Sequence, residues 1–365
     1  MRILDRYIFK SLISIFLSCI FTFLFMYVMI DILSHLEDIL KHQVHWGLLG
    51  QYYLLNLPIM FVQVAPFGCL LATLYAFGKL NHDNEIIAMR ASGLSVMQIT
   101  KTAVVLGCVV SVLIFWINDR FVPQALTRTE KIKIQMEEGK KNKENKQEVI
   151  DNLSMYGHHN RLFFISKFNL TTQTMYGIVI LQHDENQNPI MKIIANRAEF
   201  DGNVWHSFET ISYKLDVEGQ VIGQPAYTEK GILDITETPA DFLVQLRRPD
   251  SMSISQLKDY LKKLRKSGAS SVVRNLKIDF YQRFTSPFTS LVIVLLGIPF
   301  SLRMRKRATG LSSIGLSIMV GFLYYIVDAI SIAIGKGGAL PPFLAASLSH
   351  FLGLIYSTYL IRRLP

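Results

Sequence analysis

Apolar and polar positions in this chain segregate first by whole segments and only then by residue. Six stretches lack Asp, Glu, Lys and Arg altogether: 11–30, 42–78, 102–118, 284–302, 308–327 and 337–361, with 20, 37, 17, 19, 20 and 25 residues. About 20 apolar residues in a helix cross roughly 30 Å of hydrocarbon, so each stretch predicts a membrane span. A seventh uncharged stretch, 168–183, carries Asn169, Thr171, Thr172, Gln173, Thr174, Gly177 and Gln182 and is not read as one. Between the third and fourth spans the period shortens towards two. Leu162–Ile165, Tyr176–Leu181, Ile190–Ile194, Ile211–Val217 and Gly231–Ile235 read as short strands, separated by turn residues at Asp201-Gly202-Asn203, Glu218-Gly219 and Asp184 to Pro189.

The strands are flanked by helical or solvated pieces. Glu130 to Glu148 is dense in Lys, Glu and Asn and reads as a solvated helix end and loop. Ser253 with Gln256 forms a capping-box pattern, and Ile254, Leu257, Leu261 and Leu264 recur at helical spacing before Gly268. The architecture is therefore a membrane α-helical protein with an inserted all-β domain. Residues 1–119 hold spans one to three, 120–279 the β domain with flanking helices, and 280–365 spans four to six. Strands at this spacing point to a sandwich, jelly roll or open barrel. The first span is a full bilayer in length and runs on into Asp31, His35 and Glu37 without a small-residue cleavage pattern, so it reads as a retained helix.

Half of the 365 residues are apolar and 18% are charged, which excludes a disordered chain and a purely water-soluble globule. The formal charge of +10 raises nucleic acid as a partner until its placement is considered. Arg2, Arg6, Lys10, Lys79, Arg90, Lys101, Arg303, Arg305, Lys306, Arg307, Arg362 and Arg363 fall on one side of a six-span chain, and only Lys41 and Lys336 in the opposite short loops. Twelve against two predicts cytoplasmic termini and an extracytoplasmic β domain. From Arg120 to Asp279 there are 23 basic and 20 acidic residues, so the excess charge belongs to topology, and no nucleic-acid partner is expected. Cys19, Cys69 and Cys108 all lie in predicted spans, where a free thiol acts as a small apolar side chain.

Catalytic and metal-binding patterns are sparse. No G-x-x-x-x-G-K-[ST] sequence occurs, and Gly335-Lys336-Gly337 lacks the preceding strand and the hydroxyl. His158-His159, His183 and His206 lack the spacing of a structural zinc site, and no G-x-S-x-G is present. The chain is expected not to be an enzyme and to hold no cofactor of its own. The loop between spans two and three says more. Asn81 to Gly93 offers two N-cap positions, about two helical turns and a terminating glycine, with Ile86, Met89 and Gly93 on one face and Glu85 beside Met89. Such a helix either lies in the membrane interface or docks into a soluble partner.

Leu4-Asp5-Arg6-Tyr7-Ile8, Glu85-x-x-x-Met89-x-Ala91-Ser92-Gly93 and Tyr325-x-x-Asp328 follow one another in a three-span, domain, three-span layout that resembles the lipopolysaccharide export permeases of the LptF/LptG family. Ser253 to Leu257 and Gly338 to Pro342 are more similar to the LptG side. The resemblance implies a bacterial inner-membrane subunit with a periplasmic β-jelly-roll domain, paired with a second, LptF-like permease above an LptB-like ATPase dimer that binds ATP and Mg. It also implies transfer of lipopolysaccharide to LptC-like and LptA-like periplasmic partners. On this resemblance the segment near 82–93 is the ATPase-coupling helix, with Glu85, Ile86, Met89, Arg90 and Gly93 as its contacts. Lipid-cavity candidates are His35, Lys41, Phe67, Leu70, Leu74 and Asp328. LptG-type chains tend to carry lysines near the outer end of span one and early in span two, where this chain reads Asp31 to Asp38 and Leu57 to Met60 and only Lys41, His35 and His42 supply positive charge nearby.

Two of these features also have plain structural readings. Asp328, beside Tyr324 and Tyr325, is either a functional carboxylate in the membrane or one tied to a tyrosine hydroxyl or backbone group. Phe67, Leu70, Leu71 and Leu74 contact either acyl chains or other helices. Pro58, Pro66, Pro287 and Pro299 mark kinks or helix ends. A membrane-anchored periplasmic scaffold or sensor is the alternative function. It would need a cytoplasmic output domain, whereas the pieces on the basic side are loops and tails of about 10 to 25 residues.

Overall fold

The structure, a computed structural model, describes residues 3–42, 44–138, 149–157, 160–184, 188–216, 219–239, 242, 249–264, 270–303 and 310–363. Two compact units are formed, one by Met1–Glu137 with Lys277–Pro365 and the other by Glu138–Leu276.

The first unit is helical: α1 (Ile3–Ser34), α2 (Leu36–Lys41), α3 (Trp46–His82), α4 (Glu85–Ala91), α5 (Val96–Arg120) and α6 (Val122–Glu138), then α8 (Ser270–Thr285), α9 (Thr289–Arg303), α10 (Gly310–Lys336) and α11 (Pro342–Arg362). Among the described residues, six segments are long and apolar enough to cross a membrane, as the sequence pattern predicts: Ile3–Ser34, Trp46–His82, Val96–Arg120, Ser271–Leu302, Ile318–Lys336 and Pro342–Arg362. The fourth is made of α8 and α9 joined by the 3-10 turn Ser286–Phe288, which places Pro287 at a break between helices. Pro58 and Pro66 lie inside α3, and Pro299 inside α9.

Hydrocarbon solvates one apolar side chain as well as another, so spans associate where their shapes fit closely. Ile8, Leu12, Phe16 and Ile20 form a buried stripe along α1 against Ala65, Cys69, Ala72 and Ala76 of α3. At Gly68 a Cβ would meet Ile20 Cδ1 at 2.9 Å, and at Gly107 of α5 it would meet the Leu291 backbone at 3.3 Å. Small residues set these approaches. The opposite side of α1, with Leu17, Phe21 and Phe25, is left exposed.

The second unit is a six-stranded antiparallel sheet of β1 (Val149–Tyr156), β2 (Arg161–Asn169), β3 (Thr174–His183), β4 (Pro189–Phe200), β5 (Trp205–Leu215) and β6 (Val221–Leu233), followed by α7 (Ile254–Leu264). Each strand pairs with its sequence neighbour, giving a meander. The crossing connections of a jelly roll are not found among the described residues, because the short hairpins leave consecutive strands no choice but to pair. One face carries Phe163, Ile165, Met175, Ile178, Ile180, Ala195 and Trp205, closed by the ring of Phe242. The other bears a cross-strand row, Lys167–Tyr176–Arg197–Phe208–Lys230, in which Arg197 lies over both rings and Lys230 over Phe208 at 5.6–5.9 Å.

β2 and β4 run on to Asn169 and Phe200 and β5 begins at Trp205, beyond the strands the alternation marks, and two further strands differ more deeply. β1 goes unseen in the sequence because Asp151, Asn152 and Ser154 interrupt its alternation, and Asn152 sits at φ +54° outside the pairing register. β6 begins ten residues before Gly231 because Gly223 and Pro225 read as a turn but occupy a bulge on an edge strand, where no ladder hydrogen bond is needed from proline. The capping box at α7 is present, with Ser253 N to Gln256 Oε1 at 3.0 Å and Gln256 N to Ser253 Oγ at 3.3 Å. Gly268 and His158-His159 lie outside the described residues.

The β4–β5 turn is built as its residues predict. The Asp201 carboxylate accepts from the backbone N–H groups of Asn203 and Val204, both at 3.0 Å, and lies 2.9 Å from His206 Nε2, while Gly202 takes φ +102°. The Val204 and Asn203 amides and the His206 ring hold this carboxyl at about 2, below the usual range. A group depressed in the folded state contributes stability that is present above its unfolded value, near 4, and lost as pH falls through its folded value. With selective ¹³C-carboxyl labelling, the Asp201 signal should titrate near pH 2, with the turn amides losing protection over that same step. An ordinary midpoint near pH 4 would refute the turn geometry.

Candidate functional site

The loop between the second and third spans folds into α4, entered by Asn84 in the left-handed region at φ 59° and left through Gly93 at φ +88°. Asn84 makes no side-chain cap. The stronger capping signal is at Ser95 and Gln98, which form a capping box that starts α5. Ile86 and Met89 point inwards and are buried with Leu80, Ile99 and the α1 stripe. That packing reorders the expected contact face, because an apolar pair three residues apart, on one side of the helix, is drawn into the chain's own core first. Ile87, Ala88, Arg90 and Gly93 remain exposed, as does Met97 just beyond.

Glu85 is half-buried at the edge of this face and accepts a hydrogen bond from the Tyr7 hydroxyl at 3.2 Å. Two residues earlier in α1, Asp5 is buried and pairs with Lys101 of α5 at 2.8 Å. The opening motif and the loop motif, 78 residues apart, thus meet in space, and α4 is fastened to the bases of α1 and α5.

The lipid-contact candidates separate into three groups. His35 and Lys41 are exposed around α2. Phe67 is partly exposed and stacks on Tyr325 with ring centroids 5.0 Å apart. Leu70 and Leu74 are fully buried with Val292, Ile293, Leu296, Val320 and Tyr324, packed between helices of this chain. Their positions on α3 face α9 and α10, which spacing along one helix does not reveal.

Asp328 is half-buried, and its Oδ1 accepts from the Ser349 hydroxyl at 2.5 Å. The chain of polar groups continues, with Ser349 Oγ 3.2 Å from His350 Nδ1 and His350 Nε2 3.2 Å from Thr289 Oγ1. Nearby, Ser331 donates to the Ala345 carbonyl at 2.7 Å and Thr285 to the Ala346 carbonyl at 2.8 Å. Polar groups on three spans are therefore mutually satisfied, which hydrocarbon requires of them. Sequence reasoning missed this network, although Ser347, Ser349 and His350 grouped within an uncharged span are its visible signal.

Among the described residues, six candidate spans in two sets of three around an inserted antiparallel β unit, with a short fastened helix between spans two and three, have the layout of a multi-pass membrane protein. The chain matches the family described as lipopolysaccharide export system permease LptF/LptG over residues 6–363 and belongs to it. It is 23% identical over 363 residues to the lipopolysaccharide export system permease protein LptG of Escherichia coli strain K12, covering 99% of this chain and 98% of that protein. The LptG of Haemophilus influenzae strain Rd is also 23% identical, with the same coverage.

The polar network gives a direct test. Ser349→Ala removes the link between Asp328 and His350 and leaves both short of a partner inside the membrane unit, a loss of about 1–3 kcal/mol. Thr358→Ala removes only an exposed hydroxyl bonded to its own helix. In detergent, Ser349→Ala should lower the thermal midpoint by several degrees and Thr358→Ala should not; equal midpoints would mean that the network does not hold the three helices.

Proposed function

We propose that this chain is the LptG-type half of a two-permease inner-membrane assembly that extracts lipopolysaccharide and hands it to a periplasmic bridge, powered by a separate ATPase that binds ATP and Mg. Membership of the export family over nearly the whole chain supports the substrate class. The twelve-to-two distribution of basic residues supports cytoplasmic termini and a periplasmic β unit. The long exposed edge strand β6 suits main-chain pairing with a β-rich LptC-like or LptA-like partner.

The observation that carries the coupling role is α4. It lies on the side where basic residues gather, its inner face is buried, and its outer face is left to Ile87, Ala88 and Arg90 with Glu85 at the rim. Fastening through Tyr7 and Lys101 lets a push on α4 reach α1 and α5 without first bending the loop. Ile86 and Met89 then act as the helix's anchor to the spans, and Glu85, Arg90 and the exposed turn as its contact to the ATPase. Phe67 with Tyr325, and the end of α1 around His35 and Lys41, remain the candidates for lipid contact, and Asp328 acts by holding α10 to α11.

Glu85→Lys removes an acceptor and adds a misplaced charge. Each charge-assisted hydrogen bond lost costs roughly 1.5–3 kcal/mol, so ATPase association should weaken by about tenfold or more. Lipid crosslinking without ATP should persist, while ATP-driven release to the periplasmic acceptor falls. Unchanged release together with unchanged ATPase co-purification would contradict the coupling role and leave α4 as an interfacial helix. Failure of any ATPase or second six-span chain to co-purify with the wild-type protein would favour the scaffold reading.

A further inference from the structure

His350 is buried within the last span, and neither the coupling helix nor the lipid-contact residues make use of its ability to carry a proton. Its hydrogen bonds allow one arrangement of hydrogens. Ser349 gives its only hydrogen to Asp328 Oδ1 at 2.5 Å, so towards His350 Nδ1, 3.2 Å away, its oxygen can only accept. Nδ1 is therefore assigned the ring hydrogen. Nε2 of the neutral ring is then bare and accepts from the Thr289 hydroxyl at 3.2 Å. Donors run in one direction, from Thr289 through the imidazole and Ser349 to the carboxylate.

A proton entering this chain has one basic nitrogen to bind, Nε2. The new Nε2–H finds the Thr289 oxygen and the Thr285 backbone carbonyl beside it, and Asp328, one hydroxyl away from Nδ1, supplies the countercharge. Thr289 then releases the ring and has to turn its hydrogen to another acceptor. Among the described residues, Asp328 and Tyr324 of α10 are the titratable groups that face the imidazole, the Tyr324 ring with its centroid 6.0 Å away. From α9 and α8 come Thr289 and the Thr285 carbonyl, neither of which titrates.

The surroundings point to water as that acceptor. Asp328 is half-buried, so the chain of donors ends where water can reach it. The Tyr324 hydroxyl is buried beside Thr289 and Ser349 and closes no hydrogen bond to either, which a water entering between the helices would correct. Packing opposes that entry, because α11 sits close against α9: at Gly353 a Cβ would meet Val292 Cγ1 at 2.5 Å. In such packing the neutral ring is fully bonded, whereas an imidazolium would be a buried charge and costly.

We propose that His350 is a proton-binding site within the last three spans, and that uptake of a proton at Nε2 admits water between α11 and its neighbours α9 and α10. The neutral ring belongs to the closely packed form and the cation to the hydrated form, so acid favours hydration through linkage. The site does not depend on the coupling role of α4 or on the lipid carried, so a failure here leaves those readings intact, and the reverse also holds.

The test uses the full chain, labelled with ¹⁵N and ¹³C at histidine, in phosphatidylcholine liposomes under magic-angle-spinning NMR. The His350 signal is identified by its loss in His350→Gln, and water contact is read as magnetisation transfer from water to the ring. At pH 8.5 the ring should carry its hydrogen on Nδ1 with Nε2 bare and show little transfer. Between there and pH 4.5 the imidazolium should form, with transfer rising several-fold in the same step. Asp328→Asn keeps an acceptor for Ser349 and removes the countercharge, so the cation should not form over that range. His206→Gln, in the β unit, should leave the His350 response as it is. A hydrogen on Nε2 at pH 8.5, a ring that stays neutral to pH 4.5, an imidazolium that forms without added water contact, or an unchanged response in Asp328→Asn would each overturn the proposal.

Discussion

Hydrocarbon offers no hydrogen bonds, and that constraint organises the membrane unit of this chain. Backbone groups satisfy themselves within helices, and side-chain polar groups have to find one another. The route from Asp328 through Ser349 and His350 to Thr289 meets that demand and joins α10, α11 and α9 in doing so. Where no polar group is present, small residues let the helices approach: Gly68 under Ile20, Gly107 under Leu291, Gly353 under Val292. The first group of spans is thus joined mainly by shape and the last by shape together with hydrogen bonds.

That division bears on mechanism. The proposed coupling role of α4 requires a fixed connection between the helix and its spans. Ile86 and Met89 in the core, with the Tyr7–Glu85 and Asp5–Lys101 pairs at the rim, form one. The apolar face of α1 at Leu17, Phe21 and Phe25 is exposed.

The large features were legible because they rest on sums over many residues: twenty uncharged positions in a row outweigh any local irregularity. The strands were legible where alternation was clean, as in β2 and β3, and illegible where one residue broke it, as Asn152 does in β1 and Pro225 in β6. Phe242, which closes the β core beside Trp205, stands in a stretch without period and gave no signal. At the candidate site the position of α4 was legible from Asn84 and Gly93, but its facing was not. Amphipathic spacing marks one apolar face without saying whether the chain's own core or a partner covers it. Leu70 and Leu74 illustrate the same limit within a span.

The central claim is that this chain works as a permease for lipopolysaccharide. Depleting it in its native cell and following newly made lipopolysaccharide through separated inner and outer membranes tests that claim most directly. The account predicts that the label accumulates in the inner membrane while phospholipid traffic continues, and that re-expression of the chain releases it. Delivery of label to the outer membrane at an undiminished rate after depletion would contradict the account.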